Sequence, residues 1–182
     1  MKYIVLFLKK TARILLKPLS FIPALVMMYV IFYMSAQPGD ESSGLSFEVS
    51  RLIALGYDKI TGKQMSYDKL LALIVLIHPY VRKAAHMTEY FLLAMCVGLP
   101  LYVYRIRGFK LMLLTALICV SYAALDEYHQ TFVYGRCGTY KDVLIDSVGV
   151  FIGSITVRIF GSIGRNTILK PLTLDDYEVV KR

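Results

Sequence analysis

Between Ser121 and Asp146 the chain gathers Asp126, Glu127, His129 and Gln130 within five residues, then Gly135-Arg136, then Asp142 and Asp146. An earlier run, Arg82-Lys83-Ala84-Ala85-His86-Met87-Thr88-Glu89-Tyr90, has the same character. Histidine with a carboxylate partner is the usual acid/base arrangement, which makes His86, Glu89, Asp126 and His129 the catalytic candidates. Arg82, Lys83 and Arg136 could clamp an anionic head group, Arg136 through the planar fork that matches phosphate. Gln37, Gln130, Asp142 and Asp146 complete a ligand-binding set. Two histidines and several carboxylates could chelate a divalent cation, but their spacing matches no standard ligand set. No metal is assigned, and the cofactor stays open. No P-loop, dinucleotide fingerprint, CxxC pair or HExxH occurs.

Helical spacing groups these residues. Arg82, His86 and Glu89 fall at i, i+4, i+7, and Tyr122, Asp126 and Gln130 at i, i+4, i+8. Asp142 and Asp146 are one turn apart, and Gly149 and Gly153 continue their face as a small-residue strip that lets helices approach closely. Each has a plainer reading. Arg82, Glu89, Arg136 and Asp142 could be ion pairs that fix helix register. Glu127 points away from Asp126 and is expected in solvent. Tyr102, Tyr104, Tyr128, Tyr134 and Tyr140 are expected in an aromatic belt at the membrane surface. Cys96 and Cys119 read as small hydrophobes, and Cys137 stands alone in a polar loop.

The elements that must carry these groups are membrane-length. Of the residues 57% are hydrophobic and 19% charged, and mean hydropathy is +0.56, more apolar than a soluble domain needs. Four spans are expected, over about Leu15–Met34, Ala84–Tyr104, Leu111–Tyr128 and Val143–Ile159, each near the ~20 residues that cross ~30 Å of hydrocarbon. Pro18 and Pro23 predict a kink or late start in the first. Between the first two spans, Leu45–Leu55 and Tyr67–Ile77 read as short helices, the second interfacial or re-entrant and stopped by His78-Pro79. Residues 1–17 form a basic amphipathic surface segment, 15–160 the membrane domain and 161–182 a tail. The N-terminal lysines, Arg105, Arg107, Lys110 and Arg158 fall on one side, which the positive-inside rule makes cytoplasmic. Both termini are then inside. The net charge of +8 becomes a topology signal, and nucleic acid is not expected. Ser35, Gln37 and every group above converge at the extracytoplasmic ends of the helices, where charge at the edge of an apolar segment needs a reason.

Together, Ser35-Ala36-Gln37, the run Arg82 to Tyr90, Tyr122 to Gln130, Gly135-Arg136, Asp142-Val143-Leu144 and Gly149 resemble the VanZ-like family of bacterial membrane proteins. The resemblance covers about Ser35 to Gly153. It implies a multi-span protein of the bacterial cytoplasmic membrane and an association with low-level resistance to teicoplanin, a lipoglycopeptide acting on cell-wall precursors. The expected architecture is an all-α bundle of four spans with one or two extracytoplasmic interfacial helices. The expected function is binding of a lipid-linked cell-wall precursor, an anionic lipid or a lipoglycopeptide at the outer polar site. The alternative is a small membrane hydrolase or transferase on a lipid-linked substrate, and enzymatic activity stays open between them.

Overall fold

The computed structural model describes residues 17–166, apart from the side chains of 40–42 and 163–166. The basic surface segment expected over residues 1–16 and the tail beyond residue 166 lie outside the described residues. Five α-helices follow one another: α1 (Ile22–Ser35), α2 (Gly39–Thr61), α3 (Tyr67–Val103), α4 (Gly108–Gln130) and α5 (Tyr140–Asn166). There is no strand among the described residues. Among the described residues, four stretches are long and apolar enough to cross a membrane: Pro18–Ser35, α3, α4 and Tyr140–Ser162 of α5. The fold is a multi-pass helix bundle, as expected.

Local chemistry sets the boundaries. Pro18 opens a short 3-10 turn, and Pro23 sits in the first turn of α1, where its missing N–H costs nothing. The late helix start expected from the two prolines is therefore present. Pro38 is extended and separates α1 from α2. Gly62, with φ +63°, ends α2 in the left-handed conformation that glycine adopts freely. Helix α2 runs through Gly56 and is longer at both ends than Leu45–Leu55.

The sequence also implies a break at His78-Pro79 that does not exist. Helix α3 is continuous from Tyr67 to Val103, with Pro79 inside it. An interior proline costs about 3 kcal/mol in an isolated helix. Packing against α2 opposes that cost. His78 Nε2 lies 3.0 Å from Ser46 Oγ, its ring meets Phe47 edge-on with 5.9 Å between centroids, and Ile74 is buried. The Tyr67–Ile77 segment is thus the first three turns of the second span's own helix, not a separate element.

Helix α3 is the spine. It packs against all four other helices, meeting α2 at His78 and α5 from Lys83 to Tyr102. Helices α3 and α5 run parallel, and glycines close the seam. A Cβ on Gly149 would lie 2.1 Å from the Met87 carbonyl oxygen, and one on Gly153 2.6 Å from that of Phe91. Further along, Gly98 faces Val157 and Gly161 faces Tyr102. The small-residue strip expected on α5 is this packing surface. The core holds Ile31, Tyr90, Leu93, Val97, Leu111, Cys119, Val150 and Val157. The Tyr122 hydroxyl donates to the Met28 carbonyl at 2.6 Å and ties α4 to α1. Apolar side chains such as Leu25, Leu117, Leu144 and Phe151 point outward, the arrangement lipid favours.

At the end of the bundle away from the charged cluster, Tyr102 departs from the expected aromatic belt. It is buried, donates to the Gly161 carbonyl and lies under the Arg107 guanidinium, 3.4 Å from the ring centroid. Tyr104, Tyr128, Tyr134 and Tyr140 are exposed.

Candidate functional site

The loop from Thr131 to Thr139 builds one wall of the site by folding back onto the end of α1. Gly135 turns it with φ +72°, and Gly39 N–H donates to the Tyr134 carbonyl at 3.1 Å. The backbones touch so closely that a Cβ on Gly39 would stand 2.2 Å from the Gly135 oxygen. That turn aims Arg136 at the C-terminus of α1. Its Nε donates to the Gln37 carbonyl at 2.9 Å and its Nη2 to the Met34 carbonyl at 2.7 Å. Both acceptors are helix-end carbonyls that need donors. Burial, and then the nearby Arg82 charge, push the Arg136 pKa below its ordinary value, against the pull of Asp126, Glu127 and Glu89. The fork expected to grip a ligand is therefore half committed to the fold, and Nη1 remains.

The start of α5 forms the opposite wall. Thr139 is its cap: Thr139 Oγ1 donates to Asp142 Oδ2 at 2.9 Å and accepts from Asp142 N–H at 3.3 Å. The Thr139 N–H donates to Glu127 Oε2 at 2.9 Å. Glu127, expected in solvent, is 7% exposed. The loop folds back to bury it, and the cap it accepts from compensates. Lys83 Nζ of α3 reaches Asp142 Oδ1 of α5 at 3.4 Å, a half-exposed pair of the kind worth little by itself.

Between these walls lies a polar cavity of about 320 Å³, lined by Arg82, Lys83, His86, Glu127, Gln130, Arg136, Asp142 and Asp146 with Pro79, Gly135, Cys137 and Ile145. A second cavity of about 380 Å³ adjoins it between α1, α2 and α3. Its walls are mostly apolar, including Ile31, Met34, Leu45, Val49, Ile53, Val81 and Ala85, with Ser35 and Glu89 among them. Arg82, His86 and Arg136 line both.

The boundary holds unspent polar atoms. Arg136 Nη1, Asp146 Oδ1 and Ser35 Oγ are buried with no hydrogen-bond partner among the described residues. Asp146 is 2% exposed and Ser35 1%. His86 Nδ1 lies 3.4 Å from Glu89 Oε2 but without hydrogen-bond alignment. Arg82 makes no ion pair or hydrogen bond among the described residues. A buried polar atom left unsatisfied costs about 1–3 kcal/mol, so these atoms favour any partner that fits.

Of the residues singled out in the sequence, Arg82, Lys83, His86, Gln130, Arg136, Asp142 and Asp146 share the polar cavity, and Glu89 lines the apolar one. Three stand apart. Asp126 lines neither cavity; its Oδ2 accepts from Gln130 Nε2 at 3.2 Å and from the Tyr90 hydroxyl at 3.4 Å. His129 is half-buried against Phe32, with ring centroids 4.8 Å apart, and is also outside both cavities. Gln37 takes part through its backbone carbonyl. Sequence reasoning missed Glu127 as a site residue and His78 as a strut. The first depends on a fold-back across the Thr131–Thr139 loop. The second could have been found from Ser46, Ser50 and Phe47 on the amphipathic α2.

A protein-family model described as VanZ/LLP1 matches residues 20–161. No curated protein and no solved structure matches the chain.

Proposed function

The chain belongs to the VanZ/LLP1 family, and from that premise we propose that it binds an envelope amphiphile at an extracytoplasmic site and so contributes to teicoplanin resistance. The amphiphile is a lipid-linked cell-wall precursor, an anionic lipid or the lipoglycopeptide itself. One observation carries the reading: a polar and an apolar cavity adjoin across a wall of Arg82, His86 and Arg136. An amphiphile has two parts that need such a pair of environments at one place. Arg82 and Arg136 Nη1 suit an anionic group, while Glu127 and Asp146 suit hydroxyl or amine donors beyond it. Charged groups this close to apolar spans are costly unless paired or used, and Arg82 has no partner within the protein among the described residues.

Chemistry at the same place is the second reading. It is favoured by His86, which lines the polar cavity with Glu89 beside it and Asp146 across from it. In that reading His86 moves the proton and Asp146 replaces Asp126 as the nearby carboxylate, because Asp146 lines the polar cavity with His86 and Asp126 lines neither cavity.

The test is expression of wild type, Arg82→Gln, His86→Gln and Asp146→Asn in a drug-susceptible Gram-positive host at matched membrane abundance. Teicoplanin and vancomycin susceptibility are compared, and extracted lipids are examined by mass spectrometry. Wild type is expected to protect selectively against teicoplanin, with each variant losing most of that protection. Equal protection by all variants would remove the site from the function. A lipid product that vanishes with His86→Gln would favour the enzyme; an unchanged lipid profile favours binding.

A further inference from the structure

We infer that the apolar cavity between α1, α2 and α3 takes the hydrocarbon chain of a phosphate-linked lipid whose phosphate sits at Arg82 and Arg136 and whose donor-bearing headgroup faces Glu127 and Asp146. This rests on the proposed binding reading and deepens it by naming the ligand class and dividing the site into three parts.

The division follows from what each wall offers. Most of the apolar cavity's wall, including Ile31, Met34, Val49, Ile53, Val81 and Ala85, has nothing to give a polar group, and Glu89 lies in it beside His86. Leu45, Val49 and Ile53 are exposed on its α2 rim, so the cavity is open toward the side of the bundle where α2 leans on α3. Hydrocarbon is stabilised by leaving water, but from lipid into such a groove it gains only packing. The groove therefore guides the chain, fixes its direction and selects for its length, and the charged wall discriminates between headgroups.

That wall is cationic where the cavities meet. Arg82 and Arg136 both line the two cavities, and Arg136 Nη1 is buried and unspent. A phosphate there would receive charge-assisted hydrogen bonds from both, the stronger class of such bonds. Ser35, 1% exposed and with its hydroxyl unpartnered, lines the same boundary from α1. Among the residues that line the polar cavity alone the carboxylates prevail: Glu127 and Asp146 are there, and so is Asp142, which Lys83 pairs. A second anion is disfavoured there, and hydroxyl or ammonium groups are favoured. Chain, phosphate and donor headgroup thus meet apolar, cationic and anionic surfaces in that order. A bare phosphate would leave two of the three unused, and a bare hydrocarbon would leave the cations unpaired.

The experiment uses full-length protein in detergent micelles and two probes, dioleoyl-phosphatidylglycerol and dihexanoyl-phosphatidylglycerol, which differ in chain length. Wild type is expected to bind the long-chain probe at least tenfold more tightly. Ala85→Trp and Val49→Trp place an indole in the apolar cavity from partly or fully exposed positions that the fold can tolerate. Each is expected to bring the long-to-short affinity ratio to within about threefold of one. Arg82→Gln is expected to weaken both probes alike, leaving the ratio intact. If wild type binds both probes equally, or if both tryptophan variants keep the wild-type ratio, the chain does not use this cavity and the inference is overturned while headgroup binding stands. If wild type binds neither probe, the phospholipid assignment fails. Retained teicoplanin protection that is lost with Arg82→Gln would then show that the binding reading survives it.

Discussion

At the scale of single residues, the site depends on positions that cannot grow. Gly149 is the sharpest case, because its α-carbon faces the Met87 backbone and not a side chain that could swing aside. Overpacking typically costs about 1–3 kcal/mol, and a clash with backbone belongs at the upper end. Gly149→Val is expected to lower the thermal midpoint of the purified protein in detergent by several degrees. It should also weaken ligand binding, because Asp146 lies one turn before it on α5. An unchanged midpoint would mean that α5 shifts freely along α3. What was legible in the sequence at this scale follows the same physics. Arg82, His86, Arg136 and Asp146 stood out because charge is rare and costly beside apolar runs. Glu127 did not, because its burial is created by a loop returning from twelve residues later to offer the Thr139 N–H, and periodicity along one helix carries no trace of that. Asp126 shares the helix face that its spacing gives it, but its Oδ2 accepts from Tyr90 and Gln130 while its Oδ1 is buried without a partner among the described residues.

At the scale of elements, the main surprise is α3. Local rules end a helix before proline, and Tyr67–Ile77 looked like a separate piece for that reason. Tertiary packing overrides the rule: α2 lies along this half of α3, with His78 touching Ser46 and Phe47. The contact makes α2 dependent on one histidine. His78→Ala is expected to speed amide hydrogen exchange throughout Gly39–Thr61 while leaving α4 and the second half of α3 as they were. Equal protection in α2 would show that apolar contacts alone hold it. The four spans themselves were legible because their length is set by the bilayer and not by details of sequence. Their exact ends were not, since capping depends on partners such as the Arg136 guanidinium on the Met34 and Gln37 carbonyls.

At the scale of the whole molecule, the charge distribution predicts a direction. Lys110 and Arg158 lie toward the end of the bundle that carries Arg105 and Arg107, opposite the cavities, and by the positive-inside rule that end is expected in the cytoplasm. The three cysteines give a direct readout, because Cys137 is exposed at the cavity end while Cys119 is buried and Cys96 half-buried within the bundle. A membrane-impermeant maleimide added to intact cells is expected to label the protein, and Cys137→Ser should abolish the labelling. Labelling that appears only after the cells are broken would invert the topology and place the cavities on the inner face.

The length of α3 has a consequence for how a ligand arrives. Its 37 residues at about 1.5 Å each reach roughly 55 Å, well beyond the ~30 Å of hydrocarbon in a bilayer. The cavities flank the middle of that helix, near Arg82 and His86, and the apolar one opens sideways along α2. The proposed lipid would therefore enter by sliding within its own leaflet, with its chain never leaving the oil. Occupancy would then be governed by the mole fraction of that lipid in the leaflet and not by its concentration in water. Diluting the protein in buffer would leave it loaded, and diluting its membrane with neutral lipid would empty it.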